Sequence, residues 1–354
     1  MAKVLMKGNE AIAEAAIQAG CKYFFGYPIT PQNEIPAYMA KRLPKVGGCF
    51  LQAESEVAAI NMVYGAAGAG ARVMTSSSSP GISLKQEGIS YIAGAELPCL
   101  VVNIVRGGPG LGGIQPAQSD YFQATKGGGH GDYHLVVLAP STIQEMVDLV
   151  TDGFDIADYY RNPVMILGDG MLGQMMEPVE FKERQARELP AKDWATTGYK
   201  GDRPRSIINS LFIDPQELED HVQRLYKKYD EIKVKETRVE CYNCEDAEII
   251  VSAYGTTSRI IKSVIDLAAK EGIKVGLIRP ITLWPFPSDT FRYWSEKEHV
   301  KAFLTVEMSM GQMVEDVTLS LEGRKPSHFY GRTGGMVPNP KDILNEIKKL
   351  RGEC

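Results

Sequence analysis

The chain has 354 residues, 39 basic and 44 acidic, for a formal net charge of −5. At 44% hydrophobic and 23% charged residues it reads as a globular protein long enough for two domains, which excludes disordered and fibrous classes. No basic stripe offers the surface that nucleic acid or an anionic membrane requires, and no segment reaches ~18 apolar residues, so neither partner is expected.

The start of the chain has no apolar run followed by a cleavage site, which leads to an expected cytoplasmic location. The cysteines at 21, 49, 99, 241, 244 and 354 are too sparse for a disulfide framework, so reduced thiols are expected. From residue 3 to about 175, apolar runs alternate with helical patterns. Tyr23 to Tyr27, Cys49 to Gln52, Arg72 to Thr75, Cys99 to Arg106, His134 to Leu138 and Pro163 to Leu167 read as strands. Gly8 to Gly20 and Thr142 to Tyr159 read as helices, the second capped by Ser141. Strands separated by helices imply α/β architecture with a doubly wound parallel sheet over residues 1–180.

Residues 181–245 are charged and carry one amphipathic stripe, Leu218, Val222, Leu225, Tyr226, Tyr229 and Ile232, which marks a helix in a connector. A second alternating series then fills 246–354. It comprises strands at Glu248 to Val251, Lys274 to Leu277 and Lys301 to Glu307, with helices at Thr257 to Glu271 and Pro340 to Leu350, giving a smaller α/β domain.

Ligands of doubly wound sheets bind past the carboxyl ends of the strands, and four loops there stand out. In Gly26-Tyr27-Pro28-Ile29-Thr30-Pro31, Thr30 is placed to cap the next helix, and capping alone would explain it. In Gln52-Ala53-Glu54-Ser55-Glu56, Glu56 opens a helix whose residues 57–71 carry no charge. So apolar a helix is expected to be buried, with Glu56 in a partly dry site, although acids in a first turn also favour the helix dipole. Thr75 to Gly81 presents hydroxyls and backbone donors, or is simply a solvated turn. Arg106 precedes a glycine-rich stretch to Gly113 and suits bidentate recognition of a carboxylate or phosphate, unless it is an ordinary surface arginine.

Other patterns lead away from familiar sites. The glycine run neither opens a helix after the first strand nor ends in Gly-Lys-Ser/Thr, so it is not a dinucleotide or P-loop signature. His130 and His134 lie in a glycine-rich segment unsuited to a helical metal pair. Cys241 and Cys244 form one CxxC without a second pair, too few ligands to hold a cluster unaided.

Taken together, the four loops, Gln118-Ser119-Asp120, Arg279 to Pro287 and Glu307 to Gln312 resemble the alpha chain of thiamine diphosphate-dependent 2-oxoacid:ferredoxin oxidoreductases. Within that family the likeness is nearest to the 3-methyl-2-oxobutanoate (2-oxoisovalerate) branch, with the 2-oxoglutarate and pyruvate enzymes as near relatives. The resemblance implies a pyrimidine-binding domain over 1–180 and a transketolase C-terminal-like domain over 246–354. It implies oxidative decarboxylation of a 2-oxoacid to acyl-coenzyme A, with ferredoxin as electron acceptor. The alternatives are 2-oxoglutarate or pyruvate as substrate, or a non-catalytic scaffold of the same fold.

The resemblance also gives roles to residues. Glu56 would bond the aminopyrimidine ring nitrogen and favour the imino tautomer, whose nitrogen removes the thiazolium proton. Pro28, Ile29, Thr75 and Ser76 would line the cofactor, and Thr30 and Arg106 would hold the substrate carboxylate. Gly168-Asp169-Gly170 starts like the family's Mg²⁺-diphosphate motif, but the next asparagine is Asn209, too distant to complete it. It therefore reads as a strand-end turn, and no metal site is expected on this chain. The Mg²⁺-diphosphate half would come from a beta subunit, and iron–sulfur clusters from partners such as gamma and ferredoxin-like delta subunits. The uncharged stretches 57–71 and 107–119 fit burial at such an interface, as core packing also would for the first.

Overall fold

The computed structural model describes residues 3–182 and 187–353; residues 1–2, 183–186 and Cys354 lie outside the described residues. The first part of the chain runs β1 (Val4–Lys7), α1 (Gly8–Gln18), β2 (Tyr23–Gly26), α2 (Glu34–Arg42), β3 (Cys49–Gln52), α3 (Glu56–Gly68), β4 (Val73–Ser77) and α4 (Pro80–Gly94). It continues through β5 (Cys99–Val105), α5 (Tyr121–Thr125), β6 (Val136–Leu138), α6 (Ile143–Tyr160), β7 (Pro163–Asp169), α7 (Gly170–Gln174) and β8 (Met176–Val179). The second part has α8 (Pro215–Glu236), β9 (Val239–Tyr242), β10 (Ile249–Ser252), α9 (Gly255–Lys270), β11 (Val275–Pro280) and β12 (Thr282–Trp284). It ends with α10 (Ser288–Ser295), β13 (Ala302–Glu307), α11 (Met313–Leu321), β14 (Ser327–Gly331) and α12 (Pro340–Glu353).

Among the described residues the larger sheet has the order β12-β6-β7-β5-β4-β2-β3, parallel except for β12. Its central strands β5 and β7 are buried at every position, which is why they read as unbroken apolar runs rather than as alternation. Helices α1, α2 and α6 pack on one face, and α3 and α4 on the other. The smaller sheet runs β14-β13-β10-β11-β9, parallel except for the edge strand β9. This is the α/β, doubly wound arrangement expected for the larger sheet, with a smaller α/β unit beside it.

Local physics corrects three expectations. The cap of α6 is Thr142, whose hydroxyl accepts from the Glu145 N–H at 3.1 Å, while the Glu145 carboxylate reaches back to the Ser141 N–H at 2.7 Å. Thr30 caps nothing: α2 begins after Asn33, and the Thr30 carbonyl is occupied by Arg106. Helix α3 is uncharged after Glu56 yet only one face is buried, through Ala59, Ile60, Val63 and Ala67, whereas Val57 is 45% exposed.

The two sheets are interlocked. Residues from the second series cross back as β12, pairing with β6 of the larger sheet, while β9, from the stretch expected to be a connector, completes the smaller one. The amphipathic stripe of α8 is buried through Leu225, Tyr229 and Ile232, with the Tyr229 ring edge-on to Trp284 at 5.6 Å. Arg279 forks onto Glu145 at 2.8 and 2.9 Å and bonds Glu240 at 2.6 Å, so the second series is tied to the head of α6.

Gln118 is the centre of the junction. Its amide nitrogen donates to the Tyr254 carbonyl at 2.9 Å, and its amide oxygen accepts from the Thr257 hydroxyl and the Met308 N–H, both at 2.9 Å. Its backbone N–H donates to the Met308 carbonyl at 2.8 Å. A side chain 2% exposed and so completely bonded leaves several groups unsatisfied when removed. Gln118→Ala is expected to destabilise the chain by ~2–3 kcal/mol, read as a lower midpoint in chemical unfolding.

Candidate active site

The carboxyl ends of β2, β3, β4 and β5 gather at one edge of the larger sheet. Glu56 comes from the first turn of α3, where Ser55 caps the helix by accepting from the Ala58 N–H at 3.1 Å. Its side chain is 7% exposed, and among the described residues nothing hydrogen-bonds its carboxylate. Glycine at 81 permits this placement. A Cβ there would sit 2.7 Å from Glu56 Oε1 and would overlap the Ser77 hydroxyl. One helical turn-pair further on, a Cβ at Gly88 would sit 2.5 Å from Ile60, so α3 and α4 approach along a narrow seam.

Lys85 lies in that seam, four residues after Gly81 and three before Gly88. It is fully buried, donating to the Thr75 hydroxyl at 2.6 Å and to the Ser76 carbonyl at 3.1 Å. Burial pushes its ammonium down to about 7, against an opposing pull from Glu56. Sequence reasoning missed this residue. Its signal was a lone lysine at i+4 from a glycine on a helix whose other charge is Glu87.

Arg106 ends β5, 7% exposed. Its guanidinium donates to the Thr30 carbonyl at 2.9 Å and the Leu111 carbonyl at 3.2 Å, and no carboxylate among the described residues neutralises it. The strand-end loops thus bring Thr30 and Arg106 together through backbone, leaving the cation available to an anion. The Arg106 Nε and the hydroxyls of Ser77 and Ser78 are buried without partners. Three orphaned polar atoms and an unbonded carboxylate at neighbouring strand ends, with the Ser77 hydroxyl next to Glu56 across Gly81, mark places suited to a polar ligand.

The other predicted residues occupy different levels. Pro28 and Thr30 are exposed, and Ile29 is half-buried. Thr75 and Ser76 lie wholly beneath the surface with their hydroxyls committed, Thr75 to Lys85 and Ser76 to Gln32 at 2.6 Å. Ser79 sits between them and Arg106 at φ 30°, a strained value for a residue with a side chain. It is held there by Asn103 Oδ1, which accepts from its N–H at 3.1 Å, and by its hydroxyl accepting from the Arg106 N–H at 3.0 Å.

Two cavities open at these strand ends, and neither lining includes Glu56. One, of about 570 Å³, lies between the two sheets and is lined by Ser79, Arg106, Asp120, Gln123, Met310 and Thr333. Burial holds the Asp120 carboxyl above its ordinary range, although Asn103 donates to it at 2.9 Å. The other, of about 580 Å³, lies beside Thr30 and is walled by Pro31, Ile114, Pro116, Met171 and Val337. Leu111 and Ile114 of the glycine-rich loop are 85% and 57% exposed.

Two other patterns prove structural or separate. Asp169 caps α7, accepting from the Met171 and Leu172 N–H groups at 3.0 and 3.1 Å, as a strand-end turn should. Cys241 is exposed and Cys244 buried at the end of β9, away from these cavities. A hydrogen bond from the Cys244 thiol lowers Cys241 to about 7, and no cluster of three or more potential metal ligands exists among the described residues.

The fold and these loops match known proteins. Residues 14–240 match the pyruvate flavodoxin/ferredoxin oxidoreductase family at its thiamine diphosphate-binding region, and residues 247–343 match core domain II of pyruvate:ferredoxin oxidoreductase. The chain is 51% identical over its whole length to a ketoisovalerate oxidoreductase subunit VorB of Methanothermobacter marburgensis, covering 99% of that protein. It is 36% identical to a 2-oxoglutarate synthase subunit KorA of Methanothermobacter thermautotrophicus, with 98% of each chain covered. A solved 2-oxoglutarate:ferredoxin oxidoreductase from Magnetococcus marinus superposes with a TM-score of 0.86 at 28% identity over 98% of this chain; the chain spans 65% of that longer one. A split-gene transketolase at 14% identity and a TM-score of 0.60 shares the fold. The match of 227 of the 354 residues to one family, with a full-length relative at 51% identity, settles membership: this chain belongs to the thiamine diphosphate-binding 2-oxoacid:ferredoxin oxidoreductases, as one subunit of a multi-subunit oxidoreductase.

Proposed function

We propose that this chain carries the pyrimidine-binding half of an active site that oxidatively decarboxylates a branched-chain 2-oxoacid, with 2-oxoisovalerate as the best substrate. The observation that carries the reading is Glu56, a buried carboxylate without a hydrogen-bond partner, framed by orphaned serine hydroxyls and a glycine that permits close approach. An aminopyrimidine ring fits that donor set, since it presents a ring nitrogen to one carboxylate and further polar groups to the serines. When bound, thiamine diphosphate supplies a carbon nucleophile for the 2-oxo carbon and an electron sink for the departing carboxylate.

With the cofactor bound, the Glu56 carboxylate would hold the proton at the ring nitrogen, and the low polarity of the seam would strengthen that bond. Arg106 holds the substrate carboxylate, with the Thr30 hydroxyl beside it, and so aligns the ketone for attack. Thr75 and Ser76 act from below, by seating Lys85 and Gln32. In the assembled enzyme, iron–sulfur clusters on partner subunits would supply the path for two electrons to ferredoxin, and coenzyme A would accept the acyl group. Because Asp169 is spent on capping α7, a diphosphate-bound Mg²⁺ would draw its protein ligands from a beta subunit. Gamma and ferredoxin-like delta subunits supply the electron path.

The preference for an aliphatic side chain rests on the cavity beside Thr30. Its lining includes no lysine, arginine or histidine, and its one carboxylate, Glu34, is paired with Lys7 at 3.2 Å, so the distal carboxylate of 2-oxoglutarate finds no free counter-ion there.

In the assembled complex, Glu56→Gln is expected to lower thiamine-dependent viologen reduction by at least ~100-fold with subunit association intact; unchanged turnover would refute the role. Arg106→Lys keeps the charge but loses the fork, and should raise KM for the 2-oxoacid by about tenfold or more. Steady-state kinetics with three acids should rank kcat/KM as 2-oxoisovalerate above pyruvate and both above 2-oxoglutarate. The reverse order would overturn the assignment of that cavity.

A further inference from the structure

We propose that Lys85 is a positioning residue for Glu56, a buried cation in the α3–α4 seam whose charge is coupled to that carboxylate. The inference rests on Glu56 facing the pyrimidine ring. Its own basis is geometric. Gly81 and Lys85 are one turn apart on the same face of α4, Glu56 Oε1 packs against Gly81, and Ile60 packs against Gly88. Lys85 therefore lies in the stretch of the seam bounded by these two contacts, tethered to β4 by the Thr75 hydroxyl and the Ser76 carbonyl.

Those tethers are two oxygen acceptors, and no carboxylate among the described residues bonds the ammonium. A lysine kept only for packing would be unfavourable here, because burying an unpaired ammonium is destabilising where methionine would fill the space. The charged and titratable groups facing it are Glu56 from α3 and Cys99 from β5. Burial pushes the Cys99 thiol up to about 12, so it is neutral, and Glu56 is left as the negative charge that Lys85 senses.

The coupling has a definite sign. With Glu56 ionised, Lys85 keeps its proton more readily; with that charge removed, Lys85 gives it up more readily. Because burial brings Lys85 to about 7, both of its forms are populated near neutral pH. As the folded value lies below the unfolded 10.5, the stability linked to Lys85 is present above about 10.5 and is lost as the pH falls through about 7.

The test uses the reconstituted complex with only this chain carrying ε-¹³C-lysine, without thiamine. The resonance absent from Lys85→Met is expected to titrate near pH 7 and, in Glu56→Gln, to titrate about one unit lower, a tenfold loss of proton affinity. A Lys85 resonance that titrates in the ordinary lysine range, or ignores Glu56→Gln, overturns the proposal. With cofactor added, Lys85→Met should move the acid limb of kcat/KM upward by about one unit, while the unfolding midpoint at pH 7 stays level or rises. An unmoved limb, or a midpoint that falls with activity, marks a purely structural lysine and overturns it as well. If Lys85→Met fails to assemble, the resonance is assigned as the one absent from Lys85→Arg, and its response to Glu56→Gln still decides. Full turnover in Glu56→Gln would instead remove the reading of Glu56 itself, whatever Lys85 does.

Discussion

The cavities over the strand ends have walls from two sheets, and they exist only while the junction between those sheets is rigid. Gln118 supplies much of that rigidity, because one amide satisfies a carbonyl, a hydroxyl and an N–H from the second unit at once. The strand β12 adds a covalent constraint: it completes the larger sheet while its neighbour in sequence, β11, lies in the smaller one. A hinge between the units would break sheet hydrogen bonds as well as side-chain contacts. Arg106 on one side and Thr333 on the other are thereby held to a common cavity.

Against this rigid frame, the buried charges are treated in opposite ways. Glu307, at the end of β13, is wholly buried but accepts from the N–H groups of Met313 and Val314 at 3.0 Å and from the Ser309 hydroxyl at 3.0 Å. It is a satisfied group that starts a helix, although burial alone raises its proton affinity. Glu56 and Arg106 are almost as buried and are left incompletely matched. Structural carboxylates are paired wherever the fold can arrange it, so unmatched groups gathered at strand ends point to an external ligand. The same contrast separates Arg279, fully engaged by Glu145 and Glu240, from Arg106, which meets only carbonyls.

The glycines of α4 connect packing to chemistry. Gly81 and Gly88 bring α3 close enough to share a dry seam, and that closeness places both Glu56 and Lys85 away from water. A wider helix spacing would hydrate both groups and return them to ordinary surface behaviour.

Much of this was legible in the chain itself. Apolar runs marked β5 and β7, an amphipathic stripe marked α8, and strand-end position singled out Thr30, Glu56 and Arg106, because period and punctuation are local properties of sequence. The crossing of β12, the burial of Thr75 and Ser76 and the depth of Lys85 were not legible. Each depends on which distant segment lies alongside: β6 for β12, Lys85 for Thr75, α3 for Lys85. The cap of α6 passed from Ser141 to Thr142 for the same kind of reason, since the Ser141 hydroxyl is turned to the Glu145 carboxylate at 3.0 Å, which distant Arg279 holds in place. By itself the sequence determined the elements, the α/β class and the loops where chemistry would gather, because these follow from short-range spacing. Only the tertiary structure decided which of those polar groups are satisfied and which are left for a ligand, because satisfaction depends on partners far away in the chain.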